Sequence, residues 1–171
     1  MTTSTFVYSA LVARITVPEG PGGDAAMVWT LRPEMGRMVE QMVNGVYHHS
    51  VLPAAEREAA RMRIAQLNAC GACAAYRASS VLEAGVTEDL YEHVADFRTH
   101  DGYTERQKLA IAYAELFATD HGSIDDAFTD KLRAAFSDAE VLDLTMCISV
   151  YLGLGRALAV LGIEEHAPVD L

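Results

Sequence analysis

The chain has 171 residues, enough for one domain or for one domain with a terminal arm. Apolar residues make up 51% of it, and a core at this length can bury roughly 70% of the unfolded surface. Asp and Glu number 24 against 13 Lys and Arg, a net charge of -11 that argues against nucleic acid and anionic membrane surfaces as partners, since both need clustered cations.

Residues 1–25 read as an N-terminal arm. "FVYSALVARITV" carries the chain's strand-like content, and "PEGPGG" behind it reads as a loop or linker, leaving residues 26–171 as a helical domain. No secretory leader is expected at the N-terminus, and no uninterrupted apolar run nears the eighteen or so residues that span a bilayer. A cytoplasmic protein is therefore expected.

Pro33 suits the first turn of a helix through "PEMGRMVEQMVNGVYHH", where its missing N–H would have had no partner anyway. Met35, Met38, Val39, Met42, Val43 and Val46 recur at three-and-four spacing, an apolar stripe read as core or subunit interface. A helix restarts near Pro53 and runs to residue 67; the next covers residues 70–84, with Gly85 as its stop. Thr87 is the expected N-cap of "EDLYEHVADF". "TERQ" at 104–107 and "SDAE" at 137–140 match the capping box, and they open helices over 105–119 and 138–161. "SIDDAFTDKLRAAF" supplies a shorter amphipathic helix between them. The expected fold class is all-α.

Chemistry concentrates in "LNACGACAAYRAS", where Cys70 and Cys73 stand at C-x-x-C spacing. Three cysteines in a reducing compartment are not a disulfide framework, so a close pair is redox-active or half of a metal site. A structural zinc site takes about four ligands, and the chain offers no second C-x-x-C and no H-x3-5-H pair, so no metal is expected. Nor is there a G-x-G-x-x-G or P-loop to hold a nucleotide or flavin, and no cofactor is expected. The pair falls in the first turn of a helix, where free N–H groups and the macrodipole stabilise a thiolate. Cys147 lies in an apolar helical run and reads as a small buried hydrophobe.

If the helices before and after Asn68–Ala69 run antiparallel, Glu58 and Arg77 reach similar depth at about 1.5 Å per residue. They either meet as an ion pair beside Cys73 or remain separate on solvated helix surfaces. His48, His49, His93, His100, His121 and His166 read as solvated side chains, and Tyr47 and Tyr76 as packing residues.

"EREAARMRIAQLNACGACAAYRASSVLEAGVTED" resembles the carboxymuconolactone decarboxylase-like superfamily and, within it, the alkylhydroperoxidase D-like (AhpD-like) peroxidases. Their motif is a Glu, eleven residues, then C-x-x-C-x-x-x-H; Glu58, Cys70 and Cys73 fall on it in register, and the family's His is Arg77 here. The resemblance implies an AhpD-like helical fold of about six to eight helices and a homo-oligomer (trimer, hexamer or dimer). It also implies a thiol-dependent hydroperoxide reductase. In that reading Cys73 attacks the peroxide, Cys70 resolves the sulfenic acid, Glu58 handles a proton, Arg77 stabilises the thiolate, and an external dithiol recycles the pair. Arginine is always protonated and cannot relay a proton as histidine does, so a weakened peroxidase is expected. The alternatives are a non-catalytic redox sensor or scaffold, and a lactone decarboxylase of the same superfamily, whose chemistry needs no cysteine pair.

Overall fold

The structure is a computed structural model, and it describes residues 13–163. Most of the strand-like N-terminal stretch, and His166, lie outside those residues. Nine α-helical segments follow in order: α1 (Gly23–Met27), α2 (Pro33–His48), α3 (Ala54–Leu67), α4 (Gly71–Ala75), α5 (Ser79–Glu83), α6 (Glu88–Glu92), α7 (Glu105–Thr119), α8 (Asp126–Ala135) and α9 (Asp138–Leu161). No strand occurs among the described residues, and the fold is all-α.

Local chemistry sets most of the boundaries. Pro33 occupies the first turn of α2. Both capping boxes form: Thr104 with Gln107 opens α7, and Ser137 with Glu140 opens α9. Asp125 caps α8 by accepting from the Phe128 N–H at 2.8 Å. Gly85 and Gly162 take positive φ, 82° and 68°, where α5 and α9 end.

The centre of the molecule is α3. Its sequence is polar, yet nine of its residues from Glu56 to Ala65 are buried, including Glu56, Arg57, Glu58 and Arg61. Small residues make this possible: Ala59 and Ala60 of α3 and Ala110 and Ala114 of α7 are fully buried, so the two helices approach closely. α9 covers another side of α3 with Leu144, Cys147, Ile148 and Tyr151. Arg106 of α7 ties the three helices together, with Nε 3.2 Å from Glu56 of α3 and Nη2 2.6 Å from Glu140 of α9.

By length and composition α9 is apolar enough to cross a membrane, although charged residues interrupt its apolar run. One face of it closes the core over α3 and α2, while Leu142, Met146 and Val160 on it stay exposed. The described part of the arm lies against the body: the Arg14 N–H donates to the Leu161 carbonyl (2.8 Å), while Ala13 and Val17 pack beside Val28, Cys70 and Leu158.

The turn from α3 to α4 passes through Ala69 at φ 50°, the left-handed region that costs a side-chain-bearing residue energy. Ala69→Gly should stabilise the protein by about 0.5–1 kcal/mol, the left-handed penalty of roughly 1–2 kcal/mol less the extra unfolded-state entropy of glycine. A raised urea midpoint at constant m-value is the expected readout.

Candidate functional site

Cys70 is the N-cap of α4 and Cys73 lies inside it; their Cα atoms are 5.3 Å apart and the sulfurs are at disulfide distance. The expected position at a helix start is therefore observed, and the segment is held from three directions. Asn68 donates its amide to the carbonyls of Tyr151 and Leu152 (both 3.1 Å) and accepts from Arg156 Nε (3.1 Å), anchoring the turn on α9. Gly155 of α9 leaves the space into which the pair settles: a Cβ there would lie 3.1 Å from Cys73 Sγ and 2.9 Å from the Asn68 amide. The third hold is Arg61, fully buried on α3. It donates to the Cys73 carbonyl (2.5 Å) and the Tyr76 carbonyl (3.1 Å), filling acceptors that another helical turn would otherwise have used.

Arg61 is also the partner of Glu58. Nε and Nη2 both lie 2.8 Å from Glu58 Oε2, one turn away on the same helix, and neither side chain is exposed. The Tyr91 hydroxyl donates to the same oxygen (3.0 Å), while Oε1 is buried without a hydrogen-bond partner. Burial alone would lower the Arg61 pKa, but the Glu58 charge outweighs it and the pKa is raised, so the cation is permanent.

The ion pair between Glu58 and Arg77, one of the two sequence readings, does not form. The helix expected over 70–84 breaks after α4, because Tyr76 and Ala78 are extended (ψ 133° and 137°), and the break turns Arg77 away from α3. Arg77 instead binds Glu88 at the start of α6 through Nε (2.8 Å) and Nη2 (2.9 Å) and caps the Ala74 and Tyr76 carbonyls. Its guanidinium lies 3.8 Å from the Tyr91 ring centre, so it reaches Glu58 only through that tyrosine. The Arg77 hydrogen bond holds the Glu88 carboxyl below its ordinary range.

Cys73 opens onto a pocket of about 530 Å³ bounded by Trp29, Val43, Ala72, Tyr76, Tyr151 and Leu158, with Arg61 at its base and Arg37 and Glu40 towards solvent. Its walls are mostly apolar. Cys70, by contrast, is 3% exposed, so Cys73 is the sulfur an entering molecule meets. His48 and His49 are exposed at the end of α2 and do not line this pocket. His93 and His100 stack on each other (4.0 Å) and His100 borders a separate, smaller cavity. Among the described residues no group of three or more His, Cys, Asp or Glu side chains is placed to hold a metal ion.

Of the sequence-selected residues, Cys70 and Cys73 adjoin, Glu58 reaches the Cys73 backbone only through Arg61, and Arg77 reaches Glu58 only through Tyr91. Arg61, Tyr91, Tyr151 and Gly155 were not singled out from the sequence. Two spacings carried the signal: Arg61 is three residues from Glu58 and Gly155 four from Tyr151, each pair on one helix face.

The sequence profile of the carboxymuconolactone decarboxylase family matches residues 33–116, which include α3, both cysteines and α7. Residues 33–116 are a segment of this family. The carboxymuconolactone decarboxylase-family segment is also 31% identical over 88 residues to the protein YnjA of Escherichia coli K12, covering 52% of this chain and 48% of YnjA, about half of that relative's length. Its AhpD-like fold superimposes on a peroxidase-related protein from Silicibacter sp. TM1040 with a TM-score of 0.76, over 91% of this chain and 92% of that one at 16% identity. A similar match, with a TM-score of 0.74, 16% identity and coverage of 91% and 93%, links it to the alkylhydroperoxidase AhpD core from Ralstonia eutropha JMP134.

The third cysteine is chemically quiet. Burial, reinforced by the Glu58 charge, pushes the Cys147 thiol up to about 12. In reduced protein at about pH 8, iodoacetamide should therefore modify Cys73 and leave Cys147 unmodified until denaturant is added, as peptide mass mapping would show. Gly155→Ala should press on the Asn68 amide and the Cys73 sulfur and cost about 1–3 kcal/mol, measured by chemical denaturation.

Proposed function

We propose that this protein is a thiol-dependent hydroperoxide reductase of the peroxidase-related branch of its family. The observation that carries the reading is the unequal placement of the two sulfurs: Cys73 lines an apolar pocket, and Cys70 lies buried behind it at disulfide distance. Cys73 as thiolate attacks the terminal oxygen of R–O–O–H; the S–O bond forms, the O–O bond breaks, and RO⁻ leaves and takes up a proton as ROH. The Cys70 thiol then attacks the sulfenic sulfur, water departs, and the resulting disulfide is reduced by an external dithiol. Arg61 fixes the Cys73 backbone, Glu58 holds Arg61, and Arg77 braces the Glu58 partner Tyr91.

The exposed methionines of α2 (Met35 52%, Met38 62%, Met42 50%) support a homo-oligomer, since their faces stay uncovered in one chain. The reading places the protein in the cytoplasm.

A one-turn redox sensor is the second reading, favoured by the absence of histidine among the described residues that line the pocket and by the engagement of Glu58 with Arg61. A lactone decarboxylase has less support, because that chemistry leaves the cysteine pair without a role.

Peroxide treatment of the reduced protein should remove two hydrogens from the peptide holding Cys70 and Cys73, reversibly with dithiothreitol. With excess dithiol, repeated consumption of cumene hydroperoxide is expected; a single equivalent consumed would select the sensor, and none would reject both. Arg77→His should lower turnover rather than raise it, because it removes the paired grip on Glu88 and the brace on Tyr91 without freeing Glu58 from Arg61.

A further inference from the structure

The helix start expected to favour a thiolate serves the buried sulfur rather than the one that meets the pocket. The Cys73 N–H donates to Cys70 Sγ (3.2 Å), and Cys70 is the N-cap of α4. Cys73 instead faces mostly apolar walls, surroundings that push a thiol pKa up. A thiolate there needs a cation close by.

The charged groups around it differ in where they stand. Arg77 does not line the pocket; it is bound to Glu88 and to the carbonyls of Ala74 and Tyr76. Arg37 and Glu40 of α2 are exposed at the mouth, where their opposite charges are screened by solvent. Tyr76 and Tyr151 contribute aromatic wall. Among the described residues, Arg61 is the cation that combines full burial with contact: it lines the pocket beside Cys73, and its Nη1 donates to the Cys73 carbonyl. Standard bond lengths then keep that nitrogen within about 7.5 Å of Cys73 Sγ. Glu58 takes the other edge of the guanidinium, 2.8 Å from Nε and from Nη2, and does not line the pocket. The pair thus turns its positive end to Cys73 and its negative end to Tyr91.

We propose that the buried Arg61 cation, in place of Arg77, stabilises the Cys73 thiolate, and that Glu58 tempers this cation and does not remove the Cys73 proton. The assignment rests on the reductase reading in taking Cys73 as the attacking sulfur. Solvent accepts the proton when the Cys73 thiol ionises, and the guanidinium keeps all of its own. Arg61 acts through its charge and through the Cys73 backbone, as a positioning residue.

The pH profile of Cys73 alkylation by iodoacetamide, read by peptide mass mapping in the full reduced protein, tests this without peroxide. The native Cys73 pKa should lie below about 8.5 and stay constant between about 0.05 and 1 M salt, since a buried charge is little screened. Glu58→Gln keeps an acceptor for Arg61 and Tyr91 but removes the opposing charge. It should lower the Cys73 pKa by about one pH unit, up to roughly tenfold more thiolate at pH 6. Arg61→Gln should raise it by a similar amount, and Arg77→Gln should move it by less than about 0.3. If either buried variant fails to fold, the native salt series and Arg77→Gln still decide. A native pKa at or above about 8.5, a salt-sensitive one, an unchanged or raised pKa in Glu58→Gln, or a rise of about one pH unit in Arg77→Gln would overturn the assignment. Oxidation by cumene hydroperoxide at pH 6 should be faster in Glu58→Gln than in the native protein; slower oxidation would make Glu58 the base and also overturn it. Reduced native protein that cumene hydroperoxide leaves unoxidised would overturn the reductase reading, while the alkylation profile would still decide the role of Arg61.

Discussion

The buried pair of Glu58 and Arg61 is the constraint around which the rest of the molecule is arranged. Two opposite charges with no exposure sit 2.8 Å apart at the centre of α3, and removing either would strand the other, at about 3–5 kcal/mol. A hydrophobic pair could fill that volume at no such risk, so charge here has to be explained by what else it touches. Arg61 has N–H groups left over after Glu58, and they end α4 by holding the carbonyls of Cys73 and Tyr76. The ion pair thus fixes the backbone that carries one of the two sulfurs, and Tyr91 in turn fixes Glu58.

From that anchor the pocket follows. Because α4 stops after five residues, Arg77 swings outward to Glu88, and the space beside Cys73 is lined by aromatic and aliphatic side chains in place of a titrating base. Gly155 and Asn68 close the cysteines against α9 from the other side. The sulfurs are consequently unequal: one meets the pocket and the other is sealed behind it. Under the proposed reductase reading, that inequality sets the order of attack and resolution.

Much of this was legible in the residues. Caps, proline and glycine positions located α2, α7 and α9 closely, because their determinants lie within four residues of one another. The spacing from Glu58 to the cysteine pair carried the family, and it identified which side chains to compare. Reading Arg77 against Glu58 went wrong because it assumed one continuous helix from residue 70 to 84. The break at Tyr76–Ala78 is imposed by an arginine on another helix, and no local signal announces it. Likewise the packing of one face of α9 against α3 joins residues far apart in the chain, which hydropathy along the sequence does not register.

The sequence by itself therefore determined the helical class, most helix ends, the family resemblance and the cysteine pair, since each depends on short-range hydrogen bonding or on residue order. The tertiary structure alone decided which charges pair and which cysteine meets the pocket. Those outcomes depend on burial and on contacts between residues as distant as Asn68 and Tyr151, where the cost of an unpaired charge or an unfilled space selects one arrangement among several that the local sequence allows.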